Sequence, residues 1–470
     1  MSVRSRRARV SRTLLVLALL WSWASSRAGA RAAAAAGVPA APDLPRYLSL
    51  DDALRVWREH GLDILIAEAA VKTSEGAVLI AGAIQNPVAS ANIMNAFTYQ
   101  FTKASDHDCN NDGAVCKPWG FSFGLTDSAA IEDALTGKRD LRLKVARNAL
   151  AAAKMSRVDA TRTIGFQVKS AYVQVAQAQL AYRFAKDVAA TQVTTLKKFQ
   201  DRYHAGAVSE GDLERIEVAK LEADQAVDGA EASVRQARAA LAFLLGVRGD
   251  VPDFDVDTRA LDYTQPIGLR GATAFSLAQG AFDHRPDLLS AGYQRASAEA
   301  QLQLVQRQKF PDVTLGLNYQ WGGAGGWSVD NSIVTPMVTL SLSAPIPFFY
   351  QLQGEERQAQ AQRDTAALQH AKNTAQVAND VATGFAALDA SKKLVERMEG
   401  SRRGDGGLLE SAKGAFEIVA AQYDKGAASL TDYLDAFRTY IATKNEYFGD
   451  LASYWTSVFQ LEAAVGKDLQ

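Results

Sequence analysis

Few residues in this chain are placed to do chemistry, and those few are carboxylates, thiols and imidazoles. Asp432 and Asp435 lie three residues apart, one turn into a helix-forming stretch near the C-terminus, so both carboxylates share a helix face. Two readings fit such a pair: a face that attracts cations, or a solvated pair of acids at a helix N-terminus, where negative charge is favoured anyway. Cys109 and Cys116 are the only cysteines; they sit close together in a polar stretch, and in an exported chain they are expected to form a disulfide. The histidines His60, His107, His204, His284 and His370 show no ligand spacing. The run Asp108 to Gly113, DCNNDG, opens like a calcium loop, but Trp119 stands where the bidentate glutamate belongs. A disulfide-pinned surface loop is expected there, with no metal. The sequence contains no GxSxG, HExxH or phosphate-binding GK[ST] pattern, so neither an enzyme nor a cofactor is expected.

The elements that carry these residues occur twice. RYHAGAVSEGDLERIE, from Arg202 to Glu217, returns 220 positions later as QYDKGAASLTDYLDAF, from Gln422 to Phe437. Tyr203 then falls on Tyr423, Gly206 on Gly426, Ala207 on Ala427, Ser209 on Ser429 and Asp212 on Asp432, and further on Leu241 and Gly246 fall on Leu461 and Gly466. At an offset of 224, Asp63, Ala67, Glu75 and Pro87 meet Asp287, Ala291, Glu299 and Pro311. Such a tandem duplication implies a symmetric wall rather than a pocket for one substrate. Each copy reads as a helix-to-helix turn: Gly206 and Gly426 take the positive φ at which a helix ends, and Ser209 and Ser429 cap the helix that follows.

Each half also holds two runs with clean alternation. Ala89, Ala91, Ile93, Phe97, Tyr99 and Phe101 alternate with Ser90, Asn92, Thr98 and Gln100, and Trp119, Phe121, Phe123 and Leu125 with Gly120, Ser122, Gly124 and Thr126. In the second half Val313 to Trp321 and Val338 to Leu342 do the same. Period two predicts four strands, about 88–101, 119–126, 312–321 and 337–344, each with one apolar and one polar face. A soluble sandwich is one architecture with such strands. A transmembrane barrel, apolar outside and polar in its lumen, is favoured by the aromatic strand ends and by export. The remainder is helix-forming: no proline occurs from Ile131 to Tyr203, enough for a helix of roughly 100 Å. The stretch from Gly354 to Tyr423 matches it. Shorter helices flank each long one, so two stacked short helices are expected beside one long one. Four glycines in Gly400 to Gly407, against none in the corresponding Leu180 to Asp187, predict a break in the second long helix.

The N-terminus is arginine-rich, continues into the apolar run Leu14 to Trp21 and reaches small residues at Ala28-Gly29-Ala30, the order of a signal peptide. No cysteine is near enough to be lipidated. After it, no window approaches the roughly 20 apolar residues of a spanning helix, so a membrane would be crossed by strands. A formal net charge of −1 with both signs mixed argues against nucleic acid as a partner. The expected organisation is a signal peptide over 1–30, an extended linker over 31–46, a first repeat over 47–250, a linker over 251–272 and a second repeat over 273–470. Four strands cannot close a barrel and about eight leave an interior filled by side chains, so an open pore needs more strands than one or two chains supply; three chains would contribute twelve, and a different multiple is also open.

The doubled Tyr-x-x-Gly-x-x-Ser-x-x-Asp motif, within a pattern running from Leu50 to Gly466, resembles the TolC-like outer-membrane factors. That resemblance implies a mainly α protein with a transmembrane β-barrel: a homotrimer with four strands per protomer, a twelve-strand barrel and a long α-barrel in the periplasm. The implied function is the exit duct of a tripartite efflux system, with a periplasmic adaptor protein, an inner-membrane pump of the RND type and outer-membrane lipid as partners. A type I protein-secretion duct of the same shape and a purely structural coiled-coil envelope protein are the alternatives. By the same resemblance Asp432 and Asp435 form the carboxylate ring of the entrance, Asp212 and Tyr423 belong to a lock at the tip, and Gly206, Ala207, Val208, Ser209, Gly426, Ala427, Ala428 and Ser429 form tip turns that dock the adaptor. Ala428 stands where some members carry a basic lock residue, which implies a weaker lock. The segments LTGKRDLRLKVA from Leu135 and APIPFFYQLQGE from Ala344 resemble the branch that serves heavy-metal cation pumps.

Overall fold

In the computed structural model, residues 40–95, 119–127, 136–322, 336–346, 348–401 and 405–469 are described. Helices α1 (Leu50–His60), α2 (Leu62–Gly82), α3 (Lys138–His204), α4 (Glu210–Leu244), α5 (Ala274–His284), α6 (Pro286–Gln308), α7 (Gln353–Glu399), α8 (Leu408–Asp424) and α9 (Leu430–Val465) account for most of it. Between them lie β1 (Tyr47–Leu48), β2 (Val88–Asn95), β3 (Trp119–Asp127), β4 (Asp255–Val256), β5 (Thr314–Gly322), β6 (Met337–Ser343), β7 (Gly400–Ser401) and β8 (Asp405–Gly406). The expected signal peptide and the Cys109–Cys116 bridge fall outside the described residues.

The proline-free stretch gives α3 its 67 uninterrupted residues, about 100 Å at 1.5 Å per residue. It begins at Lys138 because Gly137 just before it is left-handed, with φ 66°. Two short helices share its length. Arg139, in the first turn of α3, donates from Nε and Nη2 to the Gly82 carbonyl that ends α2 (2.9 and 2.7 Å), and Arg157 faces Glu68 of α2 at 3.6 Å. At the far end Phe199 of α3 and Ile216 of α4 bury together with Leu430, Tyr433 and Leu434 of α9.

β2, β3, β5 and β6 form one antiparallel sheet in that order. The register puts Ile93 opposite Phe121, Phe121 opposite Trp321, Phe123 opposite Tyr319, and Leu317 opposite Leu340. The other face pairs Asn92 with Ser122, Ser122 with Gln320, and Asn318 with Thr339. Because side chains alternate, a slip of one residue would exchange the faces completely. The apolar face is uncovered: Leu340 is 69% and Ile93 68% exposed. β2 and β6 each have one unpaired edge among the described residues. All helices leave the sheet at one end, after Asp127 and Ser343 and before Val88 and Thr314.

The main core lies midway along the helices, around the buried side chains Trp57, Tyr172, Tyr454, Phe254 and Leu48. Its tyrosine hydroxyls are paired, whereas the buried indole N–H groups of Trp57 and Trp455 have no partner among the described residues. The Tyr172 hydroxyl donates to the Leu48 carbonyl and accepts from the Asp257 N–H, both at 3.0 Å. The parallel pairing of β1 with β4 draws the inter-repeat linker into this core. Arg285, 3% exposed, binds Asp287 at 2.7 Å and Asp380 at 2.8 Å, joining the start of α6 to α7.

The glycine-rich segment does break the second long helix. α7 stops at Glu399, Gly400 has φ 90°, β7 and β8 form a minimal hairpin, and α8 starts at Leu408. Tyrosines steady the end of α7: Tyr447 donates to Glu399 (2.7 Å) and Tyr263 to Glu396 (3.1 Å).

Candidate functional site at the helical tip

The α3–α4 and α8–α9 turns lie side by side at the end farthest from the sheet, and each is built by its own few residues. The Gly206 N–H donates to the Tyr203 carbonyl and the Ala207 N–H to that of Arg202, both at 2.8 Å. Gly426 and Ala427 repeat this with Tyr423 (2.9 Å) and Gln422 (2.8 Å). This paired pattern closes the last carbonyls of a helix and needs a left-handed residue; Gly206 and Gly426 have φ 76° and 75°. Three residues on, Ser209 and Ser429 accept from the N–H groups of Asp212 (3.2 Å) and Asp432 (3.1 Å). In the second turn Asp432 also accepts from the Ser429 N–H at 3.1 Å, completing a reciprocal cap.

An open cleft of about 890 Å³ separates the two turns. Gly206, Ala207, Val208, Ser209, Asp212 and Tyr423 line it, as do Gly426, Ala428 and Ser429, while Ala427 does not. Asp212 and Tyr423 share the cleft without bonding each other. Asp212 is held by the Ser209 hydroxyl at 2.8 Å. The Tyr423 ring stacks on Phe199 at 5.7 Å, with the Arg202 guanidinium 5.8 Å from its centroid, and burial pushes its hydroxyl pKa up.

Asp432 and Asp435 are exposed at the start of α9, on the side opposite the buried Tyr433, Leu434 and Phe437. The hydrogen bonds from Ser429 hold the Asp432 carboxyl below the usual carboxylate range. It therefore stays charged in mildly acidic solution.

Residues 277–467 match the family described as outer membrane efflux protein. The chain thus resembles that family over its second half. It is similar to the cobalt-zinc-cadmium resistance protein CzcC of Cupriavidus metallidurans, with 22% identity over 92% of this chain and 94% of CzcC. It is also similar to the pyoverdine export outer membrane protein OpmQ of Pseudomonas aeruginosa, with 24% identity over 89% of this chain and 83% of OpmQ. The crystal structure of CusC, reported for transmembrane channel formation, shares the fold with a TM-score of 0.70 at 16% identity, covering 89% of this chain and 92% of CusC.

In this chain the contacts that join the two hairpins were not anticipated from the sequence. Arg202 pairs with Asp424 at 3.3 Å, Arg215 donates to the Thr431 hydroxyl at 3.4 Å, and Arg438 meets Glu222 at 3.2 Å. Two of these cations come from the first repeat. Ala428 therefore does not leave the tip without basic residues; Arg202 and Arg215 approach from the opposite hairpin. Comparing the copies position by position carries the signal, since Arg202 aligns with Gln422 and Arg215 with Asp435.

Proposed function

We propose that this chain works as the exit duct of a tripartite efflux system. Three copies close a twelve-strand barrel, and their helices continue it as a tunnel toward the inner membrane. The observation that carries this reading is the four-stranded sheet with one uncovered apolar face, one polar face and two unpaired edges. Unpaired edges invite strand addition. Since β2 and β6 run in opposite directions, β6 of one copy meets β2 of the next antiparallel, and the ring closes with polar side chains facing its lumen.

At the tunnel's far end, Asp432 and Asp435 from three copies form a ring of six carboxylates that favours cations. Tyr423, stacked on Phe199 beside Arg202, and the Arg202 and Arg215 links hold the two turns of each copy together, and Asp212 faces the cleft between them as the other member of the tip lock. Ala207, Val208, Ala427 and Ala428 offer small apolar side chains to a periplasmic adaptor, which links the duct to an inner-membrane pump of the RND type. The relatives carry different cargo names, metal cations for CzcC and pyoverdine for OpmQ, and the acidic entrance supports cations as the cargo class here. Native mass spectrometry of the detergent-purified protein should give three copies, and co-purification should return an adaptor and a pump. A stable water-soluble monomer would end this reading.

A further inference from the structure

A second cleft, of about 470 Å³, opens beside the main core, where α1 and α3 of the first repeat meet the start of α6 and the end of α9. Leu54, Trp57, Phe166 and Phe459 give it apolar walls. Gly165 lets the Trp57 ring lie against α3, where a Cβ would sit 3.3 Å from it. Five cations line the same cleft against two carboxylates, Glu462 and Asp468. Lys169 is committed to Glu462 at 2.7 Å and Arg162 to Asp159 at 2.7 Å, and Asp468 shares a hydrogen bond with Glu462. Arg157 reaches Glu68 only at 3.6 Å. Arg58 and Lys467 have no hydrogen-bond or ion-pair partner among the described residues.

The duplication separates these two cations from the needs of the fold. A cation is favoured at a helix C-terminus in general, and Arg58 lies in the last turn of α1. Yet α5, of the same 11 residues, carries Phe282 at the equivalent place, 224 positions on. Likewise Lys467 follows the left-handed Gly466, whereas Val247 follows the left-handed Gly246. Each helix end is closed in the other copy by an apolar residue, so the unpaired charge belongs to this cleft alone. Clefts of roughly 300–1,000 Å³ with apolar walls and a few polar groups suit small molecules, and low-dielectric walls strengthen the field of cations at the rim. We propose that this cleft binds a small organic anion, an aromatic carboxylate whose ring rests on the Trp57 and Phe459 side chains and whose charge is met by Arg58 and Lys467. The site draws on both repeats and does not depend on the duct reading.

The test is isothermal titration calorimetry on the full-length protein held in amphipol, with 2-naphthoate as the probe and the uncharged 2-naphthylmethanol as its ring-matched control. Naphthoate should bind saturably, more tightly than the alcohol, and more weakly as salt rises. The R58A/K467A variant should lose about tenfold in affinity for naphthoate, while R363A/K393A, which removes two exposed cations of α7 instead, should bind as the wild type does. Equal affinity for acid and alcohol, or undiminished naphthoate binding in R58A/K467A, would overturn the proposal. So would the absence of saturable binding to the wild type, the result expected if a neighbouring copy covers the cleft.

Discussion

The two halves of the chain share a plan and differ in how it is held. In the first half α3 is continuous over Lys138–His204, whereas its counterpart is split into α7 and α8 at Gly400. The first half has Gly61 where the second has Arg285, the centre of a buried ion cluster. At the tips the first copy contributes cations, Arg202 and Arg215, and the second contributes the acceptors Asp424 and Thr431. Duplication explains the matching turns. The differences between the copies are what tie one half to the other, because two identical surfaces of like charge would repel.

The largest effect is expected from Arg285→Ala. It leaves the Asp287 and Asp380 carboxylates without their partner in a partly buried place, a loss of about 3 kcal/mol or more. Thermal unfolding should show a clearly lowered midpoint, and an unchanged midpoint would mean that the cluster does not join α6 to α7. Next come Gly206→Ala and Gly426→Ala. Nothing crowds either site, so the cost is the left-handed conformation alone, about 1–2 kcal/mol each. Equal losses in the two variants would show that the tips are structurally equivalent despite their different charges.

Replacing Gly400 to Gly407 by the residues of Leu180 to Asp187 erases the asymmetry of the long helices. Hydrogen exchange across the segment should slow to the rate of α3, because each glycine removed is worth about 1 kcal/mol to a helix. Persistent fast exchange would place the cause of the break in the surrounding tyrosine contacts. Smaller still is Arg202→Ala, whose exposed pair with Asp424 should cost under about 1 kcal/mol. Its signature is the coupling to Asp424 in a double-mutant cycle and a higher resting conductance.

Much of this was legible in residue types. The faces of the sheet followed from period two, the turns from Gly206, Ser209 and their copies, and the break from its glycines, since each depends on neighbours close in sequence. The Arg202–Asp424 and Arg215–Thr431 links, the Arg285 cluster and the pairing of β1 with β4 were not legible. They join residues far apart in the chain, where no local periodicity records the partner. The bounds of α3 shifted for a local reason, the left-handed Gly137.

The proposed duct is cation-selective at an entrance lined by Asp432 and Asp435, and ion selectivity in planar bilayers tests that proposal most directly. The folded pKa of Asp432 is lowered, so its charge, and the stability that comes with it, is present above the ordinary carboxylate pKa and is lost only as pH falls through the depressed value. Wild-type channels should be cation-selective at neutral pH, with block by multivalent cations. The D432A/D435A double variant should conduct with selectivity and block much reduced. Unaltered selectivity in that variant would contradict the assignment of these carboxylates to the entrance.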